Sequence, residues 1–370
     1  MRTAGTGGKT QRGYQGQSGG GKKRLDHLGH SRVDGPGHTD PGAKVARDGI
    51  RSKPSVRQGV SAEVDVRSKS VRLGASFQGR DIMTDFSKMV TVFAGFLIGS
   101  AAAAQEMVWT LEGLETPESA YYDAERGALY VSNIAGEPTG KDGNGYISRV
   151  GTDGEMIEAK WVTGLDAPKG MVSDGTTLYV SDIDRLVAID IETGEISGSW
   201  MAEGAIFLND TAVDDAGRVY VSDMIAQRVH VLDDDELSVL AEGEALQHPN
   251  GLNMRDGALI VAPWGKGLQQ DFTTEVGGHL LSVDTGTGAV TALGSGAPIG
   301  NLDGLEPDGQ GNWMVSDWIA GAVHRVAEDG SHEMLLDLDM GSADLEFIAD
   351  QSLLVVPMML NNSLVAYRID

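Results

Sequence analysis

From residue 117 to the C-terminus one phrase returns six times with variations. It opens on a small or polar residue, crosses a short apolar run and a turn containing Asp or Gly, and closes on an alternating run such as Tyr-Val-Ser-Asp. The six copies are PESAYYDAERGALYVSN from Pro117, APKGMVSDGTTLYVSD from Ala167, LNDTAVDDAGRVYVSD from Leu208, PNGLNMRDGALIVAP from Pro249, LDGLEPDGQGNWMVSD from Leu302 and ADLEFIADQSLLVVP from Ala343. A repeat of this kind restricts the fold before any single residue is weighed. The polar residues that open the copies are Glu118, Lys169, Asp210, Asn250, Asp303 and Asp344. Subtracting their numbers gives steps of 51, 41, 40, 53 and 41 residues. A period of roughly 40–50 residues containing several short strands is that of a propeller blade with about four strands. The expected fold is therefore all-β: a six-bladed β-propeller.

The third copy shows the unit most plainly. Thr211–Val213 reads as an inner strand, Asp214–Gly217 as a turn and Arg218–Ser222 as the second strand. Gln227–Leu232 and Leu237–Ala241 complete the blade. Gly at the turn reaches positive φ without steric cost. After the sixth copy only Ser363–Arg368 remains, which leaves the last blade one strand short. Met107–Leu111 stands ahead of the first copy without a partner. Its pairing with the last blade would close the ring and remove an exposed edge.

Residues 1–82 are rich in Gly, Ser, Arg and Lys and show no period. Such a composition buries too little apolar surface to offset its ordering entropy. Residues 83–104 carry Lys88, an apolar core over Val90–Ile98 and a run of alanines before Gln105. This is the pattern of a secretory signal peptide, and it predicts a periplasmic or secreted protein. A retained anchor is the rival reading, but the apolar run falls short of the ~20 residues that span a bilayer. A leader that begins after 82 residues suggests translation from Met83 or Met89. The alternative is a true basic, disordered extension.

Of the 29 Lys+Arg and 54 Asp+Glu in the chain, 17 and 8 fall in residues 1–104. Residues 105–370 therefore keep 12 and 46, a formal net charge of −34. This acidity argues against nucleic acid or anionic membranes as partners and favours cations. With no cysteine in the chain, disulfides, thiol catalysis and Cys-based zinc sites are excluded.

Residues at the start of the inner strands of a propeller gather at one mouth of the central channel. The expected ring is Glu118, Lys169, Asp210 with its neighbour Asn209, Asn250, Asp303 and Asp344. Carboxylates brought this close raise one another's pKa unless a cation neutralises them. Their hard oxygens suit calcium, magnesium or manganese. Lys169 offsets part of the charge, and a second reading has the Asp and Asn residues simply capping turns. Asp182, Asp223 and Asp317 recur identically at the ends of strands and read as structural. His230 alternates within a strand and reads as a surface or core position. His248 stands nearer the mouth, and Trp264 and Trp318 are candidates to line it.

The segments PES with Glu118, LND with Asn209 and Asp210, PNG with Asn250 and LDG with Asp303 resemble the senescence-marker-protein/gluconolactonase (regucalcin-like) family. The resemblance covers most of residues 107–370. It implies a six-bladed propeller that binds one divalent metal ion in its channel and hydrolyses lactones. It implies Glu118, Asn250 and Asp303 as metal ligands, with Asn209 beside metal and substrate. Calcium is the expected ion, with manganese, magnesium or zinc as alternatives. One departure stands out. The family's Arg-x-Asn-Asp pattern, whose Arg grips sugar hydroxyls, reads here Phe207-Leu208-Asn209-Asp210. A less polar lactone or ester is the expected small-molecule substrate, bound by Lys169, Phe207, Asn209 and Asp210. Asp303, or Asp344 from its place in the ring, is the expected base. The alternative is a non-catalytic propeller that binds a ligand or protein partner.

Overall fold

Each repeat forms an antiparallel four-stranded sheet, and the six sheets form a β-propeller. The computed structural model describes residues 105–369. The expectations placed on residues 1–82 and 83–104 lie outside the described residues. Among the described residues no helix is long and apolar enough to cross a membrane.

In blade 3 the strands are Leu208–Val213, Val219–Asp223, Arg228–Asp233 and Glu236–Glu242. The inner strand starts three residues earlier than the sequence reading, and the other three strands agree with it to within one residue at each end. Gly217 takes φ 81° in the Asp214 turn, where its N–H donates to the Asp214 carbonyl at 2.9 Å. The inner strands are Pro117–Asp123, Pro168–Ser173, Leu208–Val213, Pro249–Arg255, Leu302–Pro307 and Glu346–Ile348. Each lies against the inner strands of its two neighbours. Blade 4 differs from the others. A small extra hairpin, Gly265–Lys266 paired with Val276–Gly277, is inserted between its second and third strands.

Closure follows the sequence expectation. Glu106–Glu112 pairs antiparallel with Ser363–Arg368 and becomes the outer strand of blade 6. The join is repeated at the channel, where Asp344 N donates to Glu118 O at 3.0 Å and Ala120 N to Asp344 O at 3.2 Å.

Apolar side chains fill the clefts between blades. Leu129 and Val131 of blade 1 meet Val355 and Leu364 of blade 6, and Tyr130 and Ile147 meet Leu178 and Val180 of blade 2. These side chains are at most 1% exposed. Each such burial contributes roughly 1.5–3 kcal/mol. Stability is thus spread around the ring. The channel is left free to carry polar groups that a core would not tolerate.

The serines and aspartates of the Val-Ser-Asp runs tie this frame together, as their repetition suggested. Ser222 Oγ donates to Asn250 O of the next blade at 2.8 Å, and Ser316 Oγ donates to Ala343 O at 2.9 Å. The Asp223 carboxylate accepts from Ile206 N and Phe207 N, and Asp182 does the same for Asp166 N and Ala167 N. His230 is buried in the core of blade 3, with Nε2 unpaired.

Candidate functional site

The same irregularity opens the inner strand of every blade. In blade 1, Pro117 pairs with Asn133, but the next pair is Ala120 with Val131. Three steps on the inner strand match two on its partner, which is a one-residue bulge. Blades 2, 3 and 5 repeat it at Pro168/Met171, Leu208/Thr211 and Leu302/Leu305. Blade 4 bulges between Pro249 and Gly251. In blade 6 the bridge from Ser342 to Met358 and the pair Glu346–Val355 enclose one extra residue as well. Bulges re-aim side chains, and here each sets two consecutive residues at the start of an inner strand outside the regular pairing.

Counting from the pair that precedes each bulge gives two sets. The first positions are Glu118, Lys169, Asn209, Asn250, Asp303 and Ala343. The second positions are Ser119, Gly170, Asp210, Gly251, Gly304 and Asp344. The single expected ring is therefore two layers, and two residues belong to the other layer. Asn209, not Asp210, stands in register with Glu118. Ala343, not Asp344, is the sixth member. The sequence alignment was one residue out in blades 3 and 6 because a bulge leaves no mark on apolar periodicity.

The two layers face different cavities. Glu118, Lys169, Asn209, Asn250 and Asp303 line a cavity of about 220 Å³. Asp210 and Asp344 line a second one, of about 340 Å³, with Glu306 and Glu346. In the second layer the carboxylates act as ties. Asp210 Oδ2 accepts from Leu252 N at 2.6 Å, and Asp344 Oδ2 accepts from Ser119 Oγ at 2.6 Å. The intervening glycines are required by closeness. A Cβ on Gly170 would come within 2.5 Å of Asp210 Cα, and one on Gly304 within 2.8 Å of Asp344 Oδ1.

In the first layer the buried oxygens are left without partners. Glu118 Oε2, Asn209 Oδ1 and Asn250 Oδ1 are all buried and accept no hydrogen bond. Asn250 Nδ2 donates to Asp303 Oδ1 at 3.1 Å and to Leu302 O at 3.3 Å. That bond aligns the Asp303 carboxylate and turns the amide oxygen of Asn250 away from it. Unpaired buried acceptors each cost about 1–3 kcal/mol, so three in one cavity favour a bound ion, ligand or ordered water there. Burial, reinforced by the charge of Asp303, holds the Glu118 carboxyl well above its usual range, while Lys169 opposes the shift. Burial raises Asp303 also, with Asp344 adding to it. A cation among these oxygens would satisfy both the orphaned acceptors and the carboxylates.

Among the described residues no three His, Cys, Asp or Glu side chains converge as a metal cluster. The set found here differs in kind. Two of its four side chains are carboxamides, and no histidine lines the cavity. The donor set is hard oxygen throughout.

Lys169 is 1% exposed. Its Nζ donates to Ala167 O at 2.8 Å and Pro138 O at 3.1 Å and lies 4.6 Å from the Phe207 ring centre. Burial lowers its pKa to about 8, against the raising influence of Glu118 and Asp182. Above the polar floor the walls are mostly apolar, with Asp271 the one carboxylate among them. Phe207, Trp264 and Trp318 lie there as the sequence suggested, with Met224, Met359 and Phe272 in addition. The last three sit in loops between strands, where no repeat marks them. His248 does not line the cavity, and its Nδ1 lies 2.9 Å from Met224 O.

No known family profile matches this sequence, and no curated protein matches it. Solved structures do share its fold. A structural-genomics structure provisionally described as a gluconolactonase has a TM-score of 0.53 at 17% identity, over 72% of this chain and 92% of that one. A streptogramin B lyase has a TM-score of 0.50 at 11% identity, over 72% and 99%. A protein of unknown function from Bacteroides thetaiotaomicron has a TM-score of 0.54 at 10% identity, over 72% and 73%. At these identities the likeness establishes the six-bladed propeller and no activity.

Proposed function

We propose that this protein is a metal-dependent hydrolase of a lactone or related ester, with Glu118, Asn209, Asn250 and Asp303 holding one divalent ion. The observation that carries the reading is the trio of orphaned buried oxygens on Glu118, Asn209 and Asn250 beside the Asp303 carboxylate. An all-oxygen set without histidine favours calcium, then manganese or magnesium, over zinc. The carboxylates of Glu118, Asp303 and Asp271 against the ammonium of Lys169 leave a formal charge of −2 around the cavity, which a divalent cation offsets.

When bound, the ion would supply Lewis-acid polarisation of the substrate carbonyl and a place for the attacking water. Asp303 Oδ1 is engaged by Asn250, and we assign Oδ2 to receive the proton from that water. The same oxygen returns the proton to the departing alkoxide. Lys169 has three N–H donors and uses two on backbone carbonyls, so the third is available to the acyl oxygen as charge develops there. Phe207 excludes water and offers no hydrogen bond to sugar hydroxyls. We do not assign Asp344 as base, because it belongs to the second layer.

The test is hydrolysis of a lactone and ester panel by the purified protein, followed by pH-stat, with chelator and then with calcium, manganese or zinc restored. Turnover that chelator removes and calcium restores is the expected result. A folded, metal-loaded protein that turns over nothing would favour the non-catalytic, ligand-binding propeller, which the replacement of the family's Arg by Phe207 also suits.

A further inference from the structure

We propose that the hairpin inserted in blade 4 is the specificity wall of this site. In this proposal Phe272 at its tip, with Phe207 and Trp264, selects a compact lactone or ester that carries an apolar substituent. The proposal rests on the hydrolase reading for the reaction, but not for the wall.

The hairpin is held in place by its neighbours. Trp264 Nε1 donates to Phe272 O at 2.7 Å. Asn301 Nδ2 donates to Thr274 Oγ1 at 2.8 Å and to Trp264 O at 2.9 Å, which ties the insert to blade 5. Phe272 N donates to Gln269 O at 3.1 Å across the tip. Phe272 also takes φ 63°, a left-handed conformation that a bulky side chain adopts only where its surroundings enforce it. The result aims a large aromatic ring at the cavity. The ring centre lies 6.3 Å from that of Phe207, and the Trp264 and Trp318 rings lie 5.9 Å apart.

Although Phe272 lines the cavity it stays 41% exposed. The same holds for side chains next to other lining residues: Ile206 beside Phe207 is 49% exposed and Leu360 beside Met359 is 58% exposed. Phe272 thus presents apolar surface to both the cavity and the solvent side. A polar floor under a largely aromatic wall, with the Asp271 carboxylate beside Phe272, fits an amphiphilic molecule, with its carbonyl at Lys169 and Asp303 and its hydrocarbon against the Phe272 ring. The cavity volume of about 220 Å³ is below the roughly 300–1,000 Å³ of drug-sized ligand sites, so the substituent is short.

Two series of measurements test this on the full protein. The first is kcat/KM for γ-lactones with hydrogen, methyl, ethyl, propyl and butyl substituents, on wild type, Phe272→Ala and Phe272→Tyr. Wild type should gain about fourfold per methylene until the cavity is full. Phe272→Ala should flatten that slope, and Phe272→Tyr should retain it. An unchanged slope in Phe272→Ala, or a wild-type preference for polyhydroxylated lactones, would overturn the wall. The second is binding of the matching alkyl lactams, read by quenching of Trp264 and Trp318 fluorescence. Chain-dependent binding without any lactone turnover would uphold the wall and defeat the hydrolase. Turnover together with lactam binding that ignores chain length would do the reverse.

Discussion

The two layers of the channel are built by the same bulge from adjacent residues, yet they treat their polar atoms oppositely. In the second layer each carboxylate has a partner: Asp210 holds Leu252 N of the next blade, and Asp344 holds the Ser119 hydroxyl. Glycines at 170, 251 and 304 let neighbouring strands approach. In the first layer, Glu118, Asn209 and Asn250 keep buried oxygens with no partner. A satisfied buried group contributes to the fold, whereas an orphaned one costs free energy that a ligand can return. One layer joins the blades, and the other is the layer to which we assign binding.

The most severe way to break this contrast is at Asp303. Asp303→Asn should lower turnover about 1,000-fold or more and weaken metal binding in parallel, measured by single-turnover rates and by chelator competition. An active, metal-binding variant would remove Asp303 from both roles. In the second layer the largest effect should come from crowding. Gly304→Ala places a Cβ 2.8 Å from the Asp344 carboxylate and should cost about 1–3 kcal/mol in urea unfolding.

The register itself is tested by neighbours in sequence. Asn209→Ala should weaken metal affinity about 10–100-fold, by analogy with the loss of groups that support bound metals, while Asp210→Asn should leave it within about threefold. The opposite outcome would restore the single ring that the sequence alone suggests.

A smaller effect concerns pH. Burial lifts Asp344 from 3.8 to about 7 and Glu346 from 4.5 to about 8. Raised carboxyl pKa values mean that the folded state holds protons the unfolded chain has released. Their contribution is complete below about pH 4 and is lost as pH climbs through 7 to 8. Asp344→Asn and Glu346→Gln should therefore raise stability by roughly 1–2 kcal/mol at pH 8.5 and by much less at pH 4, read from denaturant midpoints. Equal gains at both pH values would show that titration is not the cause.

Much of this frame could be read from the sequence. The repeat predicted six blades, and the unpartnered Met107–Leu111 predicted their closure, because strand patterns and edge pairing are local and periodic. That Glu118, Asn250 and Asp303 would share one cavity was legible for the same reason, since each opens its phrase at one fixed place. Asp210 and Asp344 were misplaced by one residue, because a bulge shifts which side chain faces the channel without altering composition. Phe272, Met224 and Met359 were illegible for another reason. They lie in connections outside the repeat, and only the closed ring brings those connections over one cavity.

The most direct test is anomalous diffraction from crystals grown with manganese or calcium. The account predicts one ion in the first layer, with oxygens of Glu118, Asn209, Asn250 and Asp303 at about 2.0–2.6 Å. An ion seated between Asp210 and Asp344 instead, or no ion in the channel at saturating metal, would contradict it.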